Sequence, residues 1–153
     1  MKKLIFLFIL ISMATVANAQ DNEAFVKKSY VILGTYNSYN KALRKSQLFA
    51  NKLQIPLNLR NLIFDKETNG LTSTEICGCG EKHGYIPRGR YDDGVYISIE
   101  HTSGLTPTSK YSKFVIVATS GEESTVQEEY KKIVAKVKKA EILTYSVYLG
   151  CMH

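Results

Sequence analysis

SYVILGTY, residues 29–36, is the stretch from which the fold is predicted. It is rich in β-branched and aromatic residues, which favour a β-strand. Asn37 and Ser38, which are residue types that cap helices, follow it directly. Small and apolar side chains then recur at helical spacing until Pro56. These positions are Ala42, Ser46, Phe49, Ala50 and Leu53. The domain therefore begins with a strand followed by a helix.

The C-terminal part repeats this plan 84 residues later. Residues 114–119 (FVIVAT) form a short apolar run that predicts a strand. Ser124 and Gln127 have the spacing of a capping box, which predicts a helix start. The helical face that follows contains Val126, Tyr130, Ile133, Val134 and Val137. Apolar and polar residues alternate over 143–149, which predicts a half-buried final strand.

The two strand–helix–strand units flank an insertion at about residues 66–113. Residues 57–64 are the candidate second strand of the first unit. Within the insertion, Val95, Ile97 and Ile99 alternate with polar residues and predict a further strand. Two such units can share one sheet. The sequence therefore predicts an α+β sandwich in which one sheet of four to five strands carries two helices on one face.

The N-terminus has the pattern of a cleaved secretory signal peptide at residues 1–19. Lys2 and Lys3 precede an apolar stretch that ends in the small-residue cleavage site Ala17-Asn18-Ala19. The mature chain is expected to begin at Gln20, with residues 20–28 as a polar lead-in and 29–153 as a single domain. No later run predicts a membrane span, so we expect a periplasmic or secreted protein.

The charge of the chain restricts its partners. The sequence has 20 Lys and Arg against 14 Asp and Glu, and loss of Lys2 and Lys3 leaves a net charge of about +4. A mildly basic exported protein is attracted to anionic polymers or lipid surfaces of the envelope. No run of five basic residues is present, so nucleic acid is not expected as a partner.

Residues 29–36, with Ala42 and Leu53 in the helix that follows, resemble the start of a SPOR (sporulation-related repeat) domain. The resemblance implies an exported βαββαβ module that binds peptidoglycan glycan strands lacking stem peptides. It thus implies a ferredoxin-like, SPOR-like βαβ-insertion-βαβ sandwich. This chain differs from the family at Ile32, where the family usually has Gln, and at Ala118-Thr119, where the family has a glycine and an aromatic residue.

The sheet face opposite the two helices is the candidate ligand surface. Tyrosine rings offer a sugar a flat apolar surface with a polar edge, and arginines at the rim add hydrogen-bond donors. Strand alternation and the neighbouring insertion give the candidate residues Tyr30, Arg88, Arg90, Tyr91, Tyr96, Ser98, Ser146 and Tyr148. The alternative is that these tyrosines pack under the insertion as a second small core.

Three cysteines, Cys77, Cys79 and Cys151, allow at most one intramolecular disulfide. Outside the cytoplasm, a bond between Cys151 and either of the other two is the favoured interpretation. A zinc site with His83 and His153, or free thiols, are the alternatives. We therefore predict no metal and no cofactor.

Chemistry-bearing side chains are present, but their spacing does not indicate an active site. These side chains are Cys79, His83, Asp92, Asp93, Glu100 and His101. Nucleophilic catalysis needs a base and an orienting group within hydrogen-bond reach, and no spacing here indicates one. The sequence predicts a non-enzymatic envelope module that binds peptidoglycan glycan or a similar polysaccharide. The alternatives are a module that docks on an envelope protein and a metal-binding protein.

Overall fold

The computed structural model describes residues 25–74, 84–101 and 114–149. They form an α+β structure, which confirms the predicted class. The predicted signal peptide (1–19) and the three cysteines lie outside the described residues. Within the described ranges, no helix is long and apolar enough to cross a membrane.

The elements follow one another along the chain with short connections around the helices. In order they are β1 (Phe25–Tyr36), α1 (Tyr39–Leu53), β2 (Leu62–Asp65), β3 (Gly70–Ser73), β4 (Gly94–His101), β5 (Phe114–Gly121), α2 (Glu123–Lys136) and β6 (Glu141–Tyr148). The main sheet has the strand order β4-β5-β1-β6, and every neighbouring pair is antiparallel. Strands β2 and β3 form a separate two-stranded antiparallel sheet.

Both helices pack on one face of the main sheet, as predicted. The core there joins sheet residues such as Val31, Ile99 and Ile116 to Ala42 of α1 and Val126 of α2. Shifting α1 by 84 residues gives 123–137, which is the span of α2 with its C-cap residue. The two predicted helical faces are therefore confirmed in register, because all ten predicted positions are buried or partly buried, and Ala42 and Leu53 correspond to the equally buried Val126 and Val137.

The predicted strand at 57–64 is confirmed only at its end: residues 62–64 belong to β2, outside the main sheet. Arg60 and Asn61 have φ values of 57° and 54°, a left-handed conformation that breaks an extended strand. Only Leu57 touches the main sheet there, through a single parallel bridge to Ile97. Strand β4, which was predicted to lie inside the insertion, takes the place of the predicted second strand in the main sheet. The insertion within the first unit therefore lies between α1 and β4, at residues 54–93.

Two element boundaries also differ from the predictions. Strand β1 begins at Phe25, so the end of the predicted lead-in belongs to the sheet, because residues 25–28 pair with 145–148 of β6. Helix α2 begins at Glu123 and has Glu122 as its N-cap, so the predicted capping box at Ser124 lies inside the helix. The extension of β1 gives the sheet a two-stranded projection beyond the end of β5.

Candidate functional site

The sheet face opposite the helices is covered, and it forms a second core. Tyr30, Ile32, Val115 and Val117 are at most 4% exposed there. Val147 completes the cluster, and Leu143 and Tyr145 of β6 pack against it. The predicted alternative, in which tyrosines pack as a second small core, thus describes Tyr30. Among the described residues, the centre of this face is therefore closed to a ligand.

Arg88 is the largest fully buried side chain among the described residues. Its Nε donates to Ser120 Oγ at 2.9 Å, and Nη2 donates to the Gly94 carbonyl oxygen at 2.7 Å. Nη1 donates to the Tyr96 carbonyl oxygen at 2.9 Å and to Ser98 Oγ at 3.0 Å. The guanidinium also lies 3.6 Å from the centre of the Tyr96 ring. Arg88 therefore joins the insertion to β4 and β5 through neutral acceptors rather than through an ion pair.

A second buried cluster lies beside Arg88 and contains two ion pairs. Arg60 donates from Nη1 to Glu100 Oε2 at 2.7 Å and from Nε to Asp92 Oδ2 at 2.6 Å. Tyr85 also donates its hydroxyl to Glu100 Oε2, at 2.8 Å. Glu100 has no exposed surface, and its Oε1 atom has no hydrogen-bond partner within the described part of the chain. The left-handed turn at Arg60 aims the guanidinium at both carboxylates.

Gly89 lets the insertion approach the sheet closely. Its φ is +87°, and a Cβ atom placed there would lie 2.3 Å from the Tyr30 hydroxyl oxygen. That hydroxyl donates to the Arg88 carbonyl oxygen at 2.8 Å. A side chain at residue 89 would push the backbone away and break this bond. Residues 84–93 are thus held against the second face by Arg88, Gly89 and the Arg60 cluster.

This environment shifts the pKa values of several buried groups. Burial, followed by the nearby carboxylates of Asp93 and Glu100, raises the pKa of the Tyr30 hydroxyl. Burial and the adjacent Glu100 carboxylate raise the pKa of Tyr85 well above its ordinary value. Burial alone would lower the pKa of Arg60, but Glu100 and Asp92 outweigh it and the pKa is raised. This environment therefore favours protonated Tyr30 and Tyr85 and charged Arg60.

Alkaline pH is expected to destabilise the fold through these tyrosines. A tyrosine whose pKa is raised in the folded state does not lower the free energy of unfolding below pH 10, which is the pKa of tyrosine in the unfolded chain. As the pH rises from about 10 toward the folded pKa, Tyr30 is expected to cost about 1.4 kcal/mol per pH unit. Urea unfolding between pH 8 and 11 measures this slope. It should be smaller in Tyr30→Phe and unchanged in Tyr91→Phe, whose ring is 68% exposed; equal slopes in all three proteins would contradict the assignment.

Several predicted ligand residues are not accessible to a ligand. Tyr30, Arg88 and Ser98 are fully buried, so they cannot touch a ligand in this conformation. Tyr96 is half-buried; Arg88 covers its ring, and its hydroxyl donates to Asp92 Oδ2 at 2.7 Å. These four residues hold the insertion in place. Ser146 is exposed, but it alternates with the residues of the second core and so points away from it.

Arg90, Tyr91 and Tyr148 come together at the end of the sheet where β1 begins and β6 ends. The Arg90 guanidinium lies 5.0 Å from the centre of the Tyr91 ring and 5.4 Å from that of Tyr148. Phe25 packs on Tyr148 with 5.1 Å between ring centres. The three rings are 40–68% exposed, whereas Arg90 is largely buried between them. We call Phe25, Arg90, Tyr91 and Tyr148 the aromatic patch.

A half-enclosed pocket of about 360 Å³ opens beside Tyr91. Its polar wall contains Arg60, Ser73 and Asp92, and Leu62 and Ile86 supply apolar surface. Both Arg60 and Asp92 are fixed by the ion pair between them, so the pocket has a rigid polar floor. The volume lies within the range of small-ligand sites. The aromatic patch and this pocket share Tyr91 and form one continuous candidate site.

Sequence reasoning missed several residues of this region. Phe25 was assigned to the lead-in, and Arg60 to a weak strand. Strand alternation puts Glu100 on the sheet face opposite Ile99, and Glu100 was also considered as a catalytic group; its buried ion pair with Arg60 was not predicted. Comparison with protein families, with characterised proteins and with solved structures finds no match for this chain.

Proposed function

We propose that this protein is an exported, non-enzymatic module of the bacterial cell envelope that binds peptidoglycan glycan or a similar polysaccharide at the aromatic patch. The export signature of residues 1–19 and the SPOR-like stretch 29–36 support the location and the ligand class. The observation that carries the proposal is the arginine held between two exposed tyrosine rings.

The strand order supports the finer assignment to a ferredoxin-like, SPOR-like fold. In the order β4-β5-β1-β6, the parallel strands β1 and β4 are separated by β5, and the parallel strands β5 and β6 are separated by β1. Among the described residues, each pair is joined by a connection that contains one helix. This order supports the split βαβ arrangement of ferredoxin-like domains as the proposed fold.

The chemistry of the aromatic patch suits a neutral, hydroxyl-rich chain. Exposed tyrosine rings stack against the apolar faces of sugar rings, and their hydroxyl groups bond to the sugar edges. A patch of exposed aromatic side chains on a small domain marks a binding surface. Because Arg90 is already ordered by both rings, little side-chain entropy remains to be lost on binding. The pocket beside Tyr91 offers room and polar partners for one further sugar unit.

Binding is expected to depend on the tyrosine rings. Tyr91→Ala and Tyr148→Ala should each weaken co-sedimentation of the mature protein with purified peptidoglycan by about tenfold, because each removes a stacking surface. Tyr91→Phe should stay within about threefold of the parent, because it keeps the ring. The measurement is a titration with intact and with amidase-treated peptidoglycan.

Ile63→Ala is the matched control, because Ile63 is 41% exposed and lies in β2, outside the patch. Its affinity should equal that of the parent. If the parent protein does not co-sediment with either form of peptidoglycan, or if the two alanine variants bind as the parent does, the glycan proposal is wrong.

The edge of β6 favours a second candidate, a protein-interaction module. Among the described strands, β6 pairs only with β1, and it carries one charged residue, Glu141, in eight. A bare edge strand of this kind accepts an extended segment of another protein. Recovery of one stoichiometric partner from envelope extract, without binding to peptidoglycan, would favour this function over the first.

A further inference from the structure

Most of the net positive charge of the described residues lies on α1. This helix contains Lys41, Arg44, Lys45 and Lys52 and no acidic residue. All four are exposed, and none forms an ion pair with another described residue. By contrast, α2 carries three acidic and three basic residues. A cationic field therefore extends from one helix rather than from the whole surface.

These cations lie together along one flank of α1. Lys41, Lys45, Leu48 and Lys52 recur at spacings of four, three and four residues, which align on a helix, and Arg44 lies next to them. The stripe is about 17 Å long at 1.5 Å per residue. Leu48 lies in the middle of the stripe and is 60% exposed, so an apolar side chain is left in water there. We call these five residues the basic stripe.

An exposed apolar side chain among cations fits an anionic bilayer better than a soluble polyanion. A soluble polyanion would satisfy the four charges but would leave Leu48 in water. An anionic bilayer offers phosphates at its surface and an apolar layer directly beneath them, so it satisfies both parts of the stripe. We propose that the basic stripe docks α1 flat on an anionic phospholipid surface.

The docking side and the segment that carries Arg90 and Tyr91 lie on different sides of the sheet. Helix α1 packs on the first face, whereas this segment covers the second. A membrane bound at α1 therefore leaves Arg90 and Tyr91 free. Lipid binding does not depend on the glycan proposal, and each can fail without the other.

The test is sedimentation of the mature protein with vesicles, after mass spectrometry has verified its first residue. We expect binding to vesicles of equal parts phosphatidylglycerol and phosphatidylcholine, and at least tenfold weaker binding to phosphatidylcholine alone. Replacing Lys41, Arg44, Lys45 and Lys52 together by Gln should weaken binding at least a hundredfold, because each cation near such a surface contributes about fivefold. Binding should also fall steeply in 0.5 M salt.

The matched control removes the same charge elsewhere: Lys131, Lys136, Lys138 and Lys139, all exposed, are replaced by Gln. This variant should keep its affinity within about tenfold, and circular dichroism should show both variants folded. Leu48→Gln should weaken vesicle binding several-fold and leave binding to soluble polyphosphate unchanged. Equal losses in the two charge variants, or no effect of Leu48→Gln on vesicle binding, would overturn the proposal.

Discussion

Replacement of Arg88 by Met is expected to lower the free energy of unfolding by at least about 3 kcal/mol. Methionine fills much of the space but donates no hydrogen bond. The buried carbonyl oxygens of Gly94 and Tyr96 and the hydroxyls of Ser98 and Ser120 would then lose the donor that the structure gives them. Urea unfolding followed by circular dichroism measures the change. Small domains have only about 5–15 kcal/mol in total, so this variant should be close to unfolding.

Two further variants test whether the loss of stability is specific to the Arg88 guanidinium. Arg88→Lys keeps the charge but replaces a planar fork of donors by one ammonium group, so most of the loss should remain. Arg44→Met removes an exposed arginine from α1 and should change stability by less than about 0.5 kcal/mol. A stable Arg88→Met protein would mean that the insertion is held in place by other contacts.

Gly89→Ala is expected to destabilise the protein by about 3 kcal/mol or more, through two separate costs. An alanine at φ +87° is strained, and its Cβ would lie 2.3 Å from the Tyr30 hydroxyl oxygen. Because Tyr30 is fully buried between strands, the ring cannot move aside without loss of packing in the second core. The measurement is again the midpoint of urea unfolding.

The chain itself supplies the control for this prediction. Among the described residues, a Cβ atom at Gly84 would meet no other atom within 4 Å, and Gly84 has no left-handed φ, so Gly84→Ala should be neutral. In the Tyr30→Phe background the contact with the hydroxyl disappears, and Gly89→Ala should then cost less than it does alone. Strict additivity of the two substitutions would show that the close approach is not the source of the cost.

The regular elements could be predicted from the sequence because their patterns are local. Both helical faces and the strands predicted at 29–36, 95–100, 114–119 and 143–149 follow from residue type and periodicity in the local sequence. The segment 57–64 could be predicted only in part, because its apolar residues suggested one continuous strand, whereas only 62–64 belong to one. Arg60 and Asn61 adopt a left-handed conformation, and Arg60 contacts carboxylates that are distant in sequence. Neither feature leaves a local pattern in the sequence.

The candidate site could be predicted only in part. Strand alternation and the position of the insertion suggested Arg90, Tyr91 and Tyr148, and these three side chains do lie together at the end of the sheet. Arg88 is two residues from Arg90 and has the same chemistry, yet it is fully buried. No local pattern distinguishes the two, because the difference arises from which of them meets the ends of β4 and β5. Burial of a polar residue is a property of the tertiary fold, and only the assembled sheet reveals it.

The position of β1 in the sheet determines when the molecule can form during synthesis. Its two neighbours, β5 and β6, both follow it at a long distance in the chain. A growing chain that ends before residue 114 contains neither neighbour, so Val31 and Leu33 have no strand on either side until β5 has been made. Contacts this distant in sequence also form slowly. The main sheet is therefore incomplete while residues 37–113 are made, which is a state in which a chaperone would meet the chain.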